Sequence, residues 1–200
     1  EGKNVLYITL EMAEERIAER IDANLLDVTI DDLYEMPKEI YDNKTSKMQN
    51  KTNGQLIIKE YPTASAHAGH FKSLLDELAL KKAFKPDLIF IDYLNICTSS
   101  RFKGGNINSY TMVKSIAEEL RGLAVQYNVP IVSATQTTRT GYLSSDVGLE
   151  DTSESFGLPA TADFMFALIS NDELEELGQI KVKQLKNRYN DRSEEHTSEL

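Results

Sequence analysis

The stretch DLIFIDYLN, Asp87 to Asn95, carries four apolar residues in a row, Leu88 to Ile91, and then a carboxylate, Asp92. An unbroken apolar run of this length reads as a strand buried on both faces, the pattern of a parallel sheet covered by helices. In open sheets of that kind, ligands sit beyond the carboxyl ends of the strands. Asp92 therefore stands where such a sheet holds its ligand.

Two further strands end in the same way. NVLYITL (Asn4 to Leu10) runs into Glu11, and VPIVSATQ (Val129 to Gln136) ends in Gln136. QLIIKEY (Gln55 to Tyr61) is another strand, stopped by Pro62. Helical patterns alternate with these strands. One runs from about Ala13 to Leu26, with Ile17, Ile21 and Leu25 on one face. A second has a face of Phe71, Leu74, Leu75, Leu78 and the apolar stem of Lys82, and a third spans Tyr110 to Tyr127. Pro37 to Asn53 reads as an exposed, weakly periodic helix. FMFALIS (Phe164 to Ser170) and QIKVKQLKNRY (Gln179 to Tyr189) are the last strands. The short acidic stretch between them suits an antiparallel pair. The order of elements predicts an α/β fold with a mostly parallel sheet and helices on both faces.

A strand ending in Asp suits a nucleoside triphosphatase, in which the Asp helps hold Mg²⁺ through its water shell. A second carboxylate such as Glu11 can orient the attacking water, and an amide such as Gln136 can sense the terminal phosphate. Each residue alone also fits a plain role: Asp92 a loop or helix-cap residue, Glu11 a favourable charge at a helix start, Gln136 a turn residue. Three such residues on three strand ends of one sheet favour the shared role.

The 200 residues suit one domain with its own core. Net charge is −10, which argues against a broad basic surface that coats duplex DNA but leaves room for a local basic groove. No apolar run approaches the roughly 20 residues of a membrane span. The lone Cys97 fits a reducing, intracellular setting. The ends differ from the rest. RSEEHTSEL (Arg192 to Leu200) is polar and patternless, and its nine residues match the in-frame translation of a common short-read sequencing adapter. It is expected to be an adapter-derived artefact rather than part of the domain, and setting aside its one Arg and three Glu leaves a charge of −8.

YITLEM, LIFIDYL, SYTMVKSIAEELRGLAVQYNVPIVSATQTTR, ESFGLPATADF and VKQLKNRY resemble consecutive motifs of the DnaB-type replicative DNA helicases, which have a RecA-like fold. The resemblance covers residues 1–191 and is strongest to members from T-even-type bacteriophages. It implies ATP and Mg²⁺ as cofactors, with Glu11 polarising the attacking water, Asp92 as the Walker B aspartate and Gln136 coupling nucleotide state to DNA-binding loops. It also implies that Lys186 and Arg188 reach the nucleotide of a neighbouring subunit, with Arg188 as the finger. Read without the resemblance, Lys181, Lys183 and Lys186 line the solvated side of an edge strand. The partners it implies are single-stranded DNA, further copies in a homohexameric ring, a primase and a helicase loader. The setting it implies is the cytoplasm, of the host cell for a phage protein. The family also carries a P-loop, and EGKN (Glu1 to Asn4) is not one: no Ser or Thr follows Lys3, and a strand follows rather than a helix. The chain is thus expected to be a fragment that begins after the P-loop and is inactive by itself.

Two loops leave the carboxyl edge. RFKGGN offers Arg101 and Lys103, and TTRTGYLSSD offers Arg139 and Tyr142. Local cations and aromatic rings suit single-stranded DNA, and the resemblance places DNA contacts in this half of the domain. His67 and His70 have metal-ligand spacing but no evident Cys or carboxylate partner, so a helix start suits them better. Tyr93 and Tyr110 are expected to pack, and Cys97 to be a small buried filler. Two readings compete with the helicase: a RecA-like recombinase or regulatory ATPase, and a non-catalytic nucleic-acid-binding or assembly module.

Overall fold

The computed structural model describes residues 2–102, 107–137, 148–149 and 157–189, and the backbone alone of 195–199. The chain divides into two compact units, Glu1–Ser100 with Gly122–Ala134, and Arg101–Arg121 with Thr135–Leu200.

The first unit is built on the strand that contains Asp92. Four parallel strands lie in the order β2-β1-β3-β4: β1 is Val5–Thr9, β2 Leu56–Glu60, β3 Leu88–Asp92 and β4 Ile131–Ser133. Leu6, Ile8, Ile89 and Ile91 on the two central strands are almost wholly buried, which is what their unbroken apolar runs require. Tyr7 and Phe90 face each other on the opposite side and stack with ring centroids 5.9 Å apart.

Four helices belong to this unit: α1 (Glu14–Leu26), α2 (Ile30–Glu35), α3 (Lys38–Gln49) and α4 (Ala68–Lys82). α4 buries Phe71, Leu74, Leu75 and Leu78, as their spacing predicts, whereas Lys82 is exposed. α1 buries Ile17 and Ala23 but leaves Leu25 59% exposed, against expectation. Eight residues carry Leu25 past a whole number of 3.6-residue turns, so it rotates away from Ile17. α2 was not foreseen. Thr29 and Asp32 close a reciprocal capping box at its start, a signal present in TIDD. α3 buries nothing, in keeping with its weak periodicity.

α5 (Ser109–Tyr127) follows β3 in the chain after a 3₁₀ turn, Leu94–Ile96. Its Tyr110 was expected to pack but is 40% exposed. β4 is shorter than its sequence pattern, because the chain leaves the ladder once the Ala134 carbonyl accepts the Leu94 N–H at 3.2 Å.

The second unit holds an antiparallel sheet, β5 (Phe164–Ile169), β6 (Gln179–Asn187) and β7 (Glu195–Glu199), with two short helices, α6 (Gly157–Thr161) and α7 (Asp172–Glu176). β6 is therefore internal, not the edge strand that its alternating lysines suggested. A bulge between Met165 and Phe166 leaves Leu185 unpaired and puts Lys181, Lys183 and Lys186 opposite Ile169, Ala167 and Met165. β7 lies in the polar tail, Arg192 to Leu200. Its pairing has a simple cause: an edge presents unpaired backbone groups that any extended segment can satisfy, whatever its side chains.

Candidate functional site

Across the β1–β3 ladder Thr9 pairs with Asp92, so Glu11 follows two residues after the partner of Asp92. The turn between β1 and α1 is fixed from several sides. Thr9 is fully buried; its hydroxyl donates to the Met12 carbonyl at 2.8 Å and accepts the Met12 N–H at 3.1 Å. The Leu10 N–H donates to the Asp92 carbonyl at 2.8 Å, and the Leu10 carbonyl accepts the Thr63 hydroxyl at 2.6 Å. The Thr9 carbonyl accepts the Tyr61 N–H at 2.9 Å. Glu11 thus extends into solvent from a backbone whose neighbours are all hydrogen-bonded.

Asp92 is half-buried, and its Oδ2 accepts the Tyr7 hydroxyl at 2.9 Å. Burial, and then the bond to Asp92, push the Tyr7 hydroxyl up to about 12, so it stays a donor at neutral pH. Beside the pair lies a groove of about 270 Å³ between the strand ends and α1, lined by Met12, Ile17, Arg20 and Asn24 among others. Tyr7 occupies Oδ2 and leaves Oδ1 as a hard oxygen donor. No group of three or more His, Cys, Asp or Glu that could hold a metal occurs among the described residues. A lone strand-end carboxylate fits Mg²⁺, which keeps most of its water shell and takes one or two protein oxygens.

In the second unit the Lys-x-Arg pair is held by a carboxylate and by carbonyls. Arg188 Nε lies 3.1 Å from Asp163 Oδ1, and its Nη2 donates to the Ala160 carbonyl at 2.9 Å. Arg121 Nη1 donates to Asp163 Oδ2 at 2.8 Å and to the Thr161 carbonyl at 2.9 Å. Lys186 Nζ donates to the Pro159 carbonyl. Desolvation, and then the charge of Arg188, hold the Lys186 amine below its ordinary range.

The family model for the DnaB-like helicase C-terminal domain matches residues 1–193. This chain belongs to that family. The DnaB-like replicative helicase of Enterobacteria phage T4 is 51% identical over 195 residues, covering 96% of this chain and 41% of that protein. A probable plasmid replicative DNA helicase of Chlamydia psittaci is 28% identical over 142 residues, covering 70% of this chain and 29% of that protein. The chain therefore spans well under half the length of these curated relatives. Two solved structures share the fold. One, an ATPase domain, matches with a TM-score of 0.78 at 16% identity, over 98% of this chain and 70% of that one. The other, a DnaB-like replicative helicase described with its interactions with primase, matches with a TM-score of 0.75 at 18% identity, over 98% of this chain and 47% of that one.

Within this DnaB-like domain Gln136 is exposed, three residues beyond β4, and belongs to the second unit with Lys186 and Arg188. Arg101 pairs with Glu118 at 2.5 Å and approaches Glu119 at 4.0 Å, so its charge is already engaged by α5. Lys103, Arg139 and Tyr142 lie outside the described residues. His67 caps α4, its Nδ1 accepting the Gly69 N–H at 3.0 Å, while His70 accepts the His67 N–H in return at 3.2 Å. Cys97 is buried, which pushes its thiol up to about 12. Lys3, in the stretch that fails as a P-loop, pairs with Asp87 at 3.7 Å, at the opposite end of β3 from Asp92. No described helix is long and apolar enough to cross a membrane.

Sequence reading missed four residues of these clusters: Tyr7, Thr63, Arg121 and Asp163. Tyr7 had a signal, since it sits two places before Thr9 and shares its face. Thr63 had none, because its role depends on where β2 ends beside the β1 turn.

Proposed function

We propose that this chain is most of the ATPase motor of a replicative DNA helicase. That parent protein is a homohexameric ring which moves along single-stranded DNA and unwinds duplex at a replication fork. The observation that carries the reading is the pairing of Thr9 with Asp92, which brings two differently placed carboxylates to one edge of a parallel sheet. The 51% identity to the phage T4 DnaB-like replicative helicase supports it.

Each residue then has a part. Glu11 orients the attacking water and takes its proton. Asp92, steadied by Tyr7, would hold Mg²⁺. Gln136 couples the nucleotide's state to the loops that carry Arg101, Lys103, Arg139 and Tyr142, the candidate contacts for single-stranded DNA. Arg188, with Lys186, crosses to the neighbouring subunit and stabilises charge that develops during hydrolysis. ATP bound with Mg²⁺ supplies the phosphoryl group whose hydrolysis drives the motor. A head-to-tail contact between copies is what closes such a ring. The likeness to a helicase solved with attention to its primase supports a primase as partner, and the family supports a helicase loader and action in the cytoplasm.

The test is to assay the full-length protein for ATP hydrolysis with and without single-stranded DNA, and for unwinding of a forked duplex. Hydrolysis stimulated by the strand, with unwinding, is expected. DNA binding without any hydrolysis would instead favour the non-catalytic assembly module.

A further inference from the structure

The family reading uses Arg188 and Lys186 but leaves the carboxylate beside them without a task. Asp163 lies between two arginines from different elements, Arg121 on α5 and Arg188 just past β6. Its backbone carbonyl also accepts the Arg188 N–H at 2.8 Å. Asp163 therefore grips both the main chain and the side chain of Arg188. Arg121 takes the other carboxylate oxygen and the Thr161 carbonyl, which fixes the Asp163 side chain from the far side. Two of the three guanidinium nitrogens of Arg188 are held, Nε by Asp163 and Nη2 by the end of α6, while Nη1 makes none of these contacts. The Nε contact is an ion pair without hydrogen-bond alignment, since Asp163 Oδ1 is buried and has no hydrogen-bond partner. An arginine held along one side and open on the other is aimed, and its remaining donors are free to face an anion.

We propose that Asp163 is a positioning residue for the Arg188 cation, with Arg121 as the second holder of its carboxylate. The inference rests on the reading of Arg188 as the residue that reaches a neighbour's nucleotide. Asp163 acts through Arg188 rather than on the nucleotide itself. It sets the direction from which Nη1 approaches a phosphate, and that direction changes the transition state more than nucleotide binding.

The test is a double-mutant cycle in the full-length ring, reading steady-state hydrolysis, ATP affinity and assembly mass. Asp163→Asn keeps the shape and removes the charge. It is expected to lower kcat about tenfold, the scale of a small misplacement of a catalytic group, with ATP affinity and ring mass unchanged. Added to Arg188→Ala it should cost nothing further, because the residue it aims is already gone. Asp163→Glu retains the charge on a longer arm and should fall between Asn and wild type, which gives a reading even where the Asn variant fails to assemble. Losses that add in the double variant, or full activity in Asp163→Asn, would overturn the positioning role. Full activity in Arg188→Ala would instead remove the finger reading itself, and the inference with it.

Discussion

Thr9 and Asp92 stand opposite each other in the β1–β3 ladder, and the Leu10 N–H donates to the Asp92 carbonyl at 2.8 Å. The backbone that carries Glu11 and the backbone that carries Asp92 therefore cannot move apart without losing hydrogen bonds. In the proposed motor, such a fixed edge would keep the two carboxylates at one spacing while other parts move.

Asp92 and Tyr7 should separate by size of effect on metal binding. In the full-length protein with nucleotide, Asp92→Asn should weaken Mn²⁺ binding, read by electron paramagnetic resonance, by about a hundredfold or more. Tyr7→Phe removes only the donor to Oδ2 and should weaken it about tenfold, the low end expected of an outer-sphere partner. Equal affinity in Asp92→Asn and wild type would contradict the metal role.

Thr63 holds the Leu10 carbonyl from the β2 side at 2.6 Å. Thr63→Val keeps the volume and loses the donor, and should cost about 1 kcal/mol in urea denaturation. Because the freed carbonyl is next to Glu11, kcat should fall several-fold with ATP affinity kept. A stability loss with no change in kcat would mean that the turn tolerates the missing anchor.

Cys97 ties stability to alkaline pH. Its thiol ordinarily ionises near 9.0 and in the folded chain is held neutral to about 12 by burial. Between those values the unfolded chain binds fewer protons, so this stabilisation, complete below pH 9, is lost as pH rises toward 12. The slope from one such thiol is at most about 1.4 kcal/mol per pH unit. Tyr7, Tyr41 and Tyr127, each raised to about 12, add their own loss above pH 10. Cys97→Val should therefore flatten the fall of the urea midpoint between about pH 9 and 10, and an unchanged slope there would contradict the burial of the thiol.

Much of the first unit was legible because its strands are unbroken apolar runs that end in single polar residues. Leu88 to Ile91 could hardly be anything but a buried strand, and Asp92 marked its end. The parallel order followed from the helices between strands, and the antiparallel β5–β6 pair from the short acidic link. What stayed hidden depends on register and on distant closure. The bulge at Leu185 comes from fitting β6 to β5, and no local residue announces it. Likewise Asp163 reads as one acid in ATADF until Arg121 and Arg188 converge on it from elements 42 residues before and 25 after. Leu25 failed for a simpler reason, since a helical face followed for eight residues drifts off its own stripe. Arg101 looked like a free cation because its acidic partners on α5 are 17 and 18 residues away in sequence.

Glu11 is proposed to act on water at an edge shared with Asp92. The most direct measurement is single-turnover ATP hydrolysis by the full-length protein carrying Glu11→Gln, with ATP affinity measured alongside. Hydrolysis should fall by roughly a hundredfold or more, as for loss of a general base, with affinity within about twofold of wild type. Wild-type hydrolysis in Glu11→Gln, in the presence of single-stranded DNA, would contradict it.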